Sequence, residues 1–302
     1  MLLYFKVATY YNIIDRPNER SSHSEVTIRG GGVIFLFAAL FAVILHTEYW
    51  LPILGLFLIG IISFIDDRIT LSSILRAVFH LAAVTLLFFS LNVFEIYQWW
   101  AIPVLYIFII GIINAYNFMD GINGITGAYS LVIFLGLQYI NYWDVRFIAP
   151  NLIWLPIIAT LVFLYFNFRT KARCFAGDVG SVTIAFWIVF LLLKLMLLTG
   201  NYVYILFLSV YGVDAVLTIL HRIRLKQNIF DAHRLHFYQI LANEQKWPQL
   251  LVSSIYAFVQ LGIIVAIVFS SWTFFQLFIA TVLPLTIIYL SLKPRMMTKQ
   301  EL

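Results

Sequence analysis

The sequence predicts an all-α protein that crosses a membrane about ten times, and three observations carry that reading. The chain of 302 residues is 63% hydrophobic and only 11% charged, with a mean hydropathy of +0.95. Soluble domains run near 45–50% apolar and about 25% charged. Apolar runs of helix-spanning length recur along the whole chain. The alternating segments of roughly ten residues that mark an outer-membrane barrel are not found in it.

Taken in order, the first element is a short apolar start at 1–14, MLLYFKVATYYNII. A helix needs about 20 residues to cross, so this is a half-span, a tilted interfacial helix or a truncated first helix. It has no small-residue cleavage site, and a polar loop follows it, so it does not read as a signal peptide. Spans follow at 30–46, 50–65, 73–93, 98–116, 124–141, 150–167, 181–199, 202–220, 250–269 and 272–291. No repeat, low-complexity tract or soluble domain interrupts them, so 1–302 reads as one integral membrane domain. The single cysteine, Cys174, excludes an internal disulfide framework.

The joints between spans sort into two kinds. HTEYW (46–50), NVFEIYQ (92–98), NYWDVRFIA (141–149) and TGN (199–201) are short and nearly free of basic residues. The loops 15–29, 66–76, 168–176, 221–249 and 292–302 are longer and basic. Of the 19 Lys and Arg, all but Lys6, Arg146 and Lys194 fall in this second set. The positive-inside rule puts those loops in the cytoplasm. Counting spans from Gly30, five polar clusters then share that face: RPNERSSHSEVTIRGGG (16–32), DDR (66–68), NAYNFMDGING (114–124), FAGDVGS (175–181) and DAHRLHFYQ (231–239). They are placed to converge on one site.

Each cluster has its own chemistry. Asp66 and Asp67 end an apolar run. Adjacent carboxylates repel unless a proton or cation relieves them, and Mg²⁺ with its oxygen ligands would do so; the plainer reading is a pair of solvated helix-end acids. Asn114, Asn117 and Asp120 fall at i, i+3, i+6, one stripe on the last turns of a helix. Gly121, Gly124 and Gly127 then let the chain turn and a ligand approach, or simply let helices pack closely. Asp178 sits in a Gly-rich turn that opens the next span, a seat for an anion or a phosphate-bound metal, or an ordinary helix cap. His233 and His236 share a face with Arg234 nearby. No Cys or third ligand accompanies them, so zinc is disfavoured and phosphate-binding donors are preferred. Arg76 and His80, at i, i+4, lie inside a span, where a charge is costly and marks a candidate functional site, unless Arg76 merely snorkels to the surface. The sum is acids for Mg²⁺, amides and glycines for a nucleotide, and basic groups for phosphates. That set suits joining a soluble nucleotide-linked substrate to a membrane-bound phosphate.

As a set, in this order and spacing, the motifs resemble those of the bacterial polyprenyl-phosphate N-acetylhexosamine-1-phosphate transferases, glycosyltransferase family 4. The resemblance covers about residues 12–292, and DRPNERSSHSEVTIRGGG is similar to the opening loop of the O-antigen-initiating branch. It implies that UDP-HexNAc and undecaprenyl phosphate give undecaprenyl-pyrophosphoryl-HexNAc and UMP, with Mg²⁺ or alternatively Mn²⁺. The setting it implies is the cytoplasmic (inner) membrane of a bacterium, in the first membrane step of surface polysaccharide synthesis. Membrane lipid is then a partner, nucleic acid is not, and a homodimer is one option. By position the resemblance makes Asp66 and Asp67 catalytic, as base or nucleophile, and Asp178 metal-binding, with Asp120 beside it. Asn114, Asn117, Asp120, Asn123 and Phe175 match the nucleotide site. His233, Arg234 and His236 match the segment that handles diphosphate and sugar, and Arg76 and His80 join that phosphate- and sugar-binding set. The chain departs from the pattern at Asn123, where many relatives carry an Asp; in HRLH, where some branches have consecutive histidines, a departure typical of deoxy-HexNAc donors; and in its short first helix. DG at 120–121 lacks the following AR of a CDP-alcohol phosphotransferase. The acids sit at cytoplasmic ends and not at the midplane where a transporter couples ions; besides them, Asp214 is the acid near a span to watch. An inactive relative acting as a scaffold is the remaining alternative.

Overall fold

The computed structural model describes residues 1–15, 26–228 and 234–297. Each expected run forms a helix. α1 (Leu2–Tyr10) is the half-span. β1 (Ile14–Asp15) and β2 (Thr27–Ile28) pair antiparallel, with Ile14 opposite Ile28. Then come α2 (Val33–Leu45), α3 (Trp50–Asp66), α4 (Ser73–Ser90), the short α5 (Val93–Ile96), α6 (Ala101–Phe118), α7 (Ile125–Trp143), α8 (Asn151–Asn167) and α9 (Gly177–Thr199). A 3-10 segment, Tyr202–Leu208, leads into α10 (Ser209–Arg224). The single turn α11 (Phe237–Gln239) runs into a π-helical turn, Ile240–Glu244, before α12 (Gln249–Phe269) and α13 (Phe274–Met296).

This is a polytopic all-α membrane protein. Among the described residues seven helices are long and apolar enough to cross a bilayer, counting Thr47–Asp66 and Tyr202–Arg224 as continuous. Val33–Leu45 and Asn151–Asn167 are apolar but shorter. α7 is long but less apolar, because it buries Thr126, Ser130, Gln138 and Asn141 against its neighbours.

α9 is the axis of the bundle. Most of it is buried, and α2, α3, α6 and α7 pack around it, whereas α6 and α13 turn most of their surface outward. The N-terminus of α2 crosses α9 backbone to backbone: a Cβ on Gly32 would collide with the backbone of Gly180. The 202–220 run is helical but broken, and Gln260 of α12 makes good the break. Its Oε1 accepts from Val210 N (3.1 Å) and Tyr129 Oη (2.7 Å), and its Nε2 donates to Leu206 O (3.1 Å). Irregular backbone at membrane depth survives only where protein satisfies it in this way.

Candidate active site

The site is built at the end of the bundle where α3 and α6 finish and α9 begins. Residues 28–32 run alongside 174–176. Phe175 N donates to Ile28 O (2.8 Å), Gly31 N to Phe175 O (2.8 Å) and Gly32 N to Ala176 O (3.0 Å). This pairing sets Arg29 over two acids. Its Nε lies 2.7 Å from Asp67 Oδ1 and its Nη2 3.5 Å from Asp178 Oδ1. The Asp67 carboxylate, wholly buried, also accepts from Asp178 N (3.0 Å) and Val179 N (3.1 Å). It thus caps α9 from across the chain, where the helix dipole favours negative charge. Gly177, at φ +69°, makes the approach: a Cβ there would stand 2.5 Å from Asp67 Oδ2. Burial, then the nearby Asp178, push Asp67 up to about 6, while Arg29 and the two amides pull the other way.

Asp66 faces elsewhere. It accepts from Leu71 N (2.7 Å) and Arg76 Nη1 (3.2 Å). The adjacent acids therefore diverge, each relieved by its own arginine, and do not close on one shared ion. His80, one turn beyond Arg76, is buried in α4.

The stripe on α6 meets this cradle. Asn117 Oδ1 accepts from Ser181 Oγ (2.7 Å), in the first turns of α9, and the Asn117 side chain lies against Asp178. Asn114 is half-buried one turn earlier on the same helix. Asp120 is near enough to Asp178 and Asp67 to feel both charges, and burial pushes it up to about 7. Phe175 is half-buried where its backbone joins residues 28–31. Asn123 stands apart. Its side-chain amide donates to Arg169 O (2.8 Å) and Thr170 O (3.3 Å), and its carbonyl accepts from Ser253 Oγ (2.7 Å). In this chain Asn123 is a clasp between loops, a task an Asp could not perform because it has no N–H to donate.

His236 is also buried, with Nδ1 3.4 Å from Asp214 Oδ1. Arg234 is half-buried two residues before it. His233 lies outside the described residues. Sequence reasoning did not single out Arg29 or Ser181. The signal for Arg29 was a lone cation immediately before three glycines, inside a cluster noted only as a whole.

Among the described residues no three His, Cys, Asp or Glu side chains gather as a metal cage. A Mg²⁺ ion held by one or two carboxylates plus substrate phosphates needs no such cage. Asp178, the more open of the two acids facing Arg29 at 24% side-chain exposure, with Asp120 near it, fits that mode. Farther along α9, an apolar cavity of about 230 Å³ opens between α6, α9 and the 3-10 segment, lined by Leu105, Phe108, Ile112, Val189, Leu193 and Ile205 among others.

Residues 49–196 match the model of glycosyl transferase family 4. A probable undecaprenyl-phosphate N-acetylglucosaminyl 1-phosphate transferase of Bacillus subtilis is 27% identical over 257 residues, 78% of this chain and 71% of that protein. An undecaprenyl-phosphate alpha-N-acetylglucosaminyl 1-phosphate transferase of Salmonella typhi is 31% identical over 209 residues, 63% of this chain and 57% of that protein. A phospho-N-acetylmuramoyl-pentapeptide-transferase of Thermotoga neapolitana is 28% identical over 248 residues, 74% of this chain and 79% of that protein. The chain thus spans under two thirds of the Salmonella relative's length.

Proposed function

Starting from residues 49–196 as a glycosyl transferase family 4 region, the family the motifs resemble, we propose that the chain transfers HexNAc-1-phosphate from a UDP-HexNAc donor to undecaprenyl phosphate. An oxygen of the lipid phosphate attacks the sugar-bearing phosphorus of the donor, the bond to the bridging oxygen breaks, and UMP leaves. The products are undecaprenyl-pyrophosphoryl-HexNAc and UMP, the first membrane step of a surface polysaccharide such as O-antigen.

The observation that carries this reading is the meeting of Arg29, Asp67 and Asp178 at the start of α9, with the amide and acid stripe of α6 against it. Two phosphate-bearing reactants repel, so the site must supply compensating charge and fixed donors. Arg29, beside Asp67 and Asp178, and Arg76, beside Asp66, supply cations, and Arg234 adds a third from the loop after α10. In this reading Asp66 and Asp67 are the acids that take the lipid phosphate's proton, Asp67 from the Arg29 cradle and Asp66 from beside Arg76. Asn114 and Asn117 present amides to the nucleotide beside Phe175. Mg²⁺, held by Asp178 with Asp120, would screen the diphosphate and the charge that builds on the leaving UMP. The apolar cavity suits a polyprenyl tail: at about 1.5 Å per residue, Val189 lies about 16 Å along α9 from Asp178. The basic loops support a cytoplasmic setting for this end of the bundle, where UDP-sugars are found.

The test is UMP release by purified protein in detergent, given undecaprenyl phosphate, Mg²⁺ and a panel of UDP-HexNAc donors. Release that needs lipid and metal, and is lost in Asp67→Asn and Asp178→Asn, is the expected result. Folded protein that releases no UMP with any donor would point to a scaffold.

A further inference from the structure

We infer that Asp214 is a positioning residue for this transfer, fixing the 234–239 segment against the end of α6; the inference rests on the function proposed above. Asp214 sits in α10 and is buried. Its Oδ1 accepts from Phe237 N (2.9 Å) and Thr218 Oγ1 (3.2 Å), and its Oδ2 from Tyr256 Oη (2.7 Å) and Tyr238 N (3.3 Å). The His236 ring lies beside them, with Nδ1 3.4 Å from Oδ1. A buried carboxylate with so many donors holds them all in register, because losing any leaves charge and dipole unmatched. Two of those donors are consecutive backbone amides of the segment that follows Arg234.

The segment is then tied onward. Tyr238 Oη donates to Phe118 O (2.9 Å), the last residue of α6, and its hydroxyl fills the place a Cβ on Gly121 would take. The His236 ring stacks on Phe118 (6.4 Å between centroids, 29°) and on Tyr238 (5.9 Å, 23°). One continuous set of contacts therefore runs from Asp214 through residues 236–238 to the turn that carries Asn117 and Asp120. Opposite it, Lys293 of α13 reaches the same cluster. Its Nζ donates to Thr218 Oγ1 (3.4 Å) and to Tyr289 Oη, which lies 2.7 Å from Thr218 Oγ1. A lipid-facing helix thus ends by burying one cation near one buried anion, with Thr218 between them. Asp214 touches neither the Arg29 cradle nor the cavity. It acts through what it holds: the Arg234 loop on one side and the nucleotide-facing turn on the other.

The test uses the full chain in detergent. Asp214→Asn keeps the shape but sets an NH₂ against one of the two backbone N–H groups. Hydrogen exchange across 234–241 should quicken without substrate present. In UMP release, kcat should fall roughly 10–100-fold and KM for the UDP-sugar should rise, with KM for undecaprenyl phosphate unchanged, the size of effect expected from a small misplacement. Tyr256→Phe removes one donor from the same carboxylate; it should show the same pattern more mildly, and it carries the test if Asp214→Asn does not fold. Unchanged exchange, or faster exchange with wild-type kinetics, overturns the inference. So does a loss shared equally by both substrates and tracking a lower Tm, which marks a merely structural role. If the wild-type protein releases no UMP with any donor, the proposed function fails and the positioning role falls with it, whereas the exchange result still reports whether Asp214 holds the segment.

Discussion

Arg29 faces two acids, one of them wholly buried, so its removal leaves carboxylates that repel each other without their shared cation. Arg29→Gln is expected to lower UMP release by roughly 10²-fold, in line with losing one fixed donor at a developing charge, and to lower Tm in detergent. Full activity in this variant would remove Arg29 from the site. Asn123 makes the contrasting case. Its amide gives both hydrogens to backbone carbonyls, so Asn123→Asp would press an anion on Arg169 O and Thr170 O. The variant should lose about 1–3 kcal/mol of stability, measured by thermal or denaturant unfolding, and gain no affinity for Mg²⁺ or Mn²⁺. Tighter metal binding would show the position to be a vacant ligand site instead. Proton and metal compete at the acids. Asp67, held near 6, and Asp120, held near 7, keep protons that the unfolded chain gives up near 3.8. The stability they contribute is complete below that value and lost as pH rises through 6 to 7. Metal binding needs the ionised forms. Mg²⁺ should therefore raise Tm clearly at pH 7.5 and little at pH 5.5, and an equal rise at both would count against Asp120 as a ligand beside Asp178.

At the scale of the element, apolar run length was legible and helix ends were less so. The run read as 181–199 is a helix from Gly177, because Asp67 caps it from α3 and draws Asp178 into its first turn. The run read as 202–220 begins as a 3-10 segment that Gln260 satisfies from α12. Hydropathy records that a segment is buried in lipid or protein; it does not record which distant side chain completes its backbone. The glycines separate in the same way. Gly32 meets the backbone of Gly180, whereas an added Cβ on Gly111 of α6 meets nothing within 4 Å. Gly32→Ala should separate α2 from α9 and reduce the monodisperse fraction by size-exclusion chromatography. Gly111→Ala should be neutral or stabilise by up to about 1 kcal/mol. Equal tolerance of both would mean that the α2–α9 crossing is not tight.

Across the whole molecule, the sharing of one face by the polar clusters was legible from loop charge and span parity alone, and the geometry places Arg29, Asp67, Asp178 and Asp120 together. What could not be read was pairing. Arg29 and Asp178 are 149 residues apart, and no local pattern in either announces the other. The divergence of Asp66 from Asp67, and the internal role of Asn123, likewise depend on loops that only the folded chain brings near. Orientation is the remaining property that belongs to the molecule as a whole, and the proposed function requires it: a UDP-sugar can be used only if the Arg29 end faces the cytoplasm. The basic loops predict that. The only cysteine, Cys174, is buried, so an engineered thiol gives a clean signal. Thr70 and Gln98 are both exposed and lie on either side of α4, hence at opposite ends of one span. In intact cells a membrane-impermeant maleimide should label Gln98→Cys at once and Thr70→Cys only after permeabilisation. The reverse pattern would put the Arg29–Asp67–Asp178 cradle outside the cell, away from any nucleotide sugar, and no reading of its acids as a UDP-sugar site could then stand.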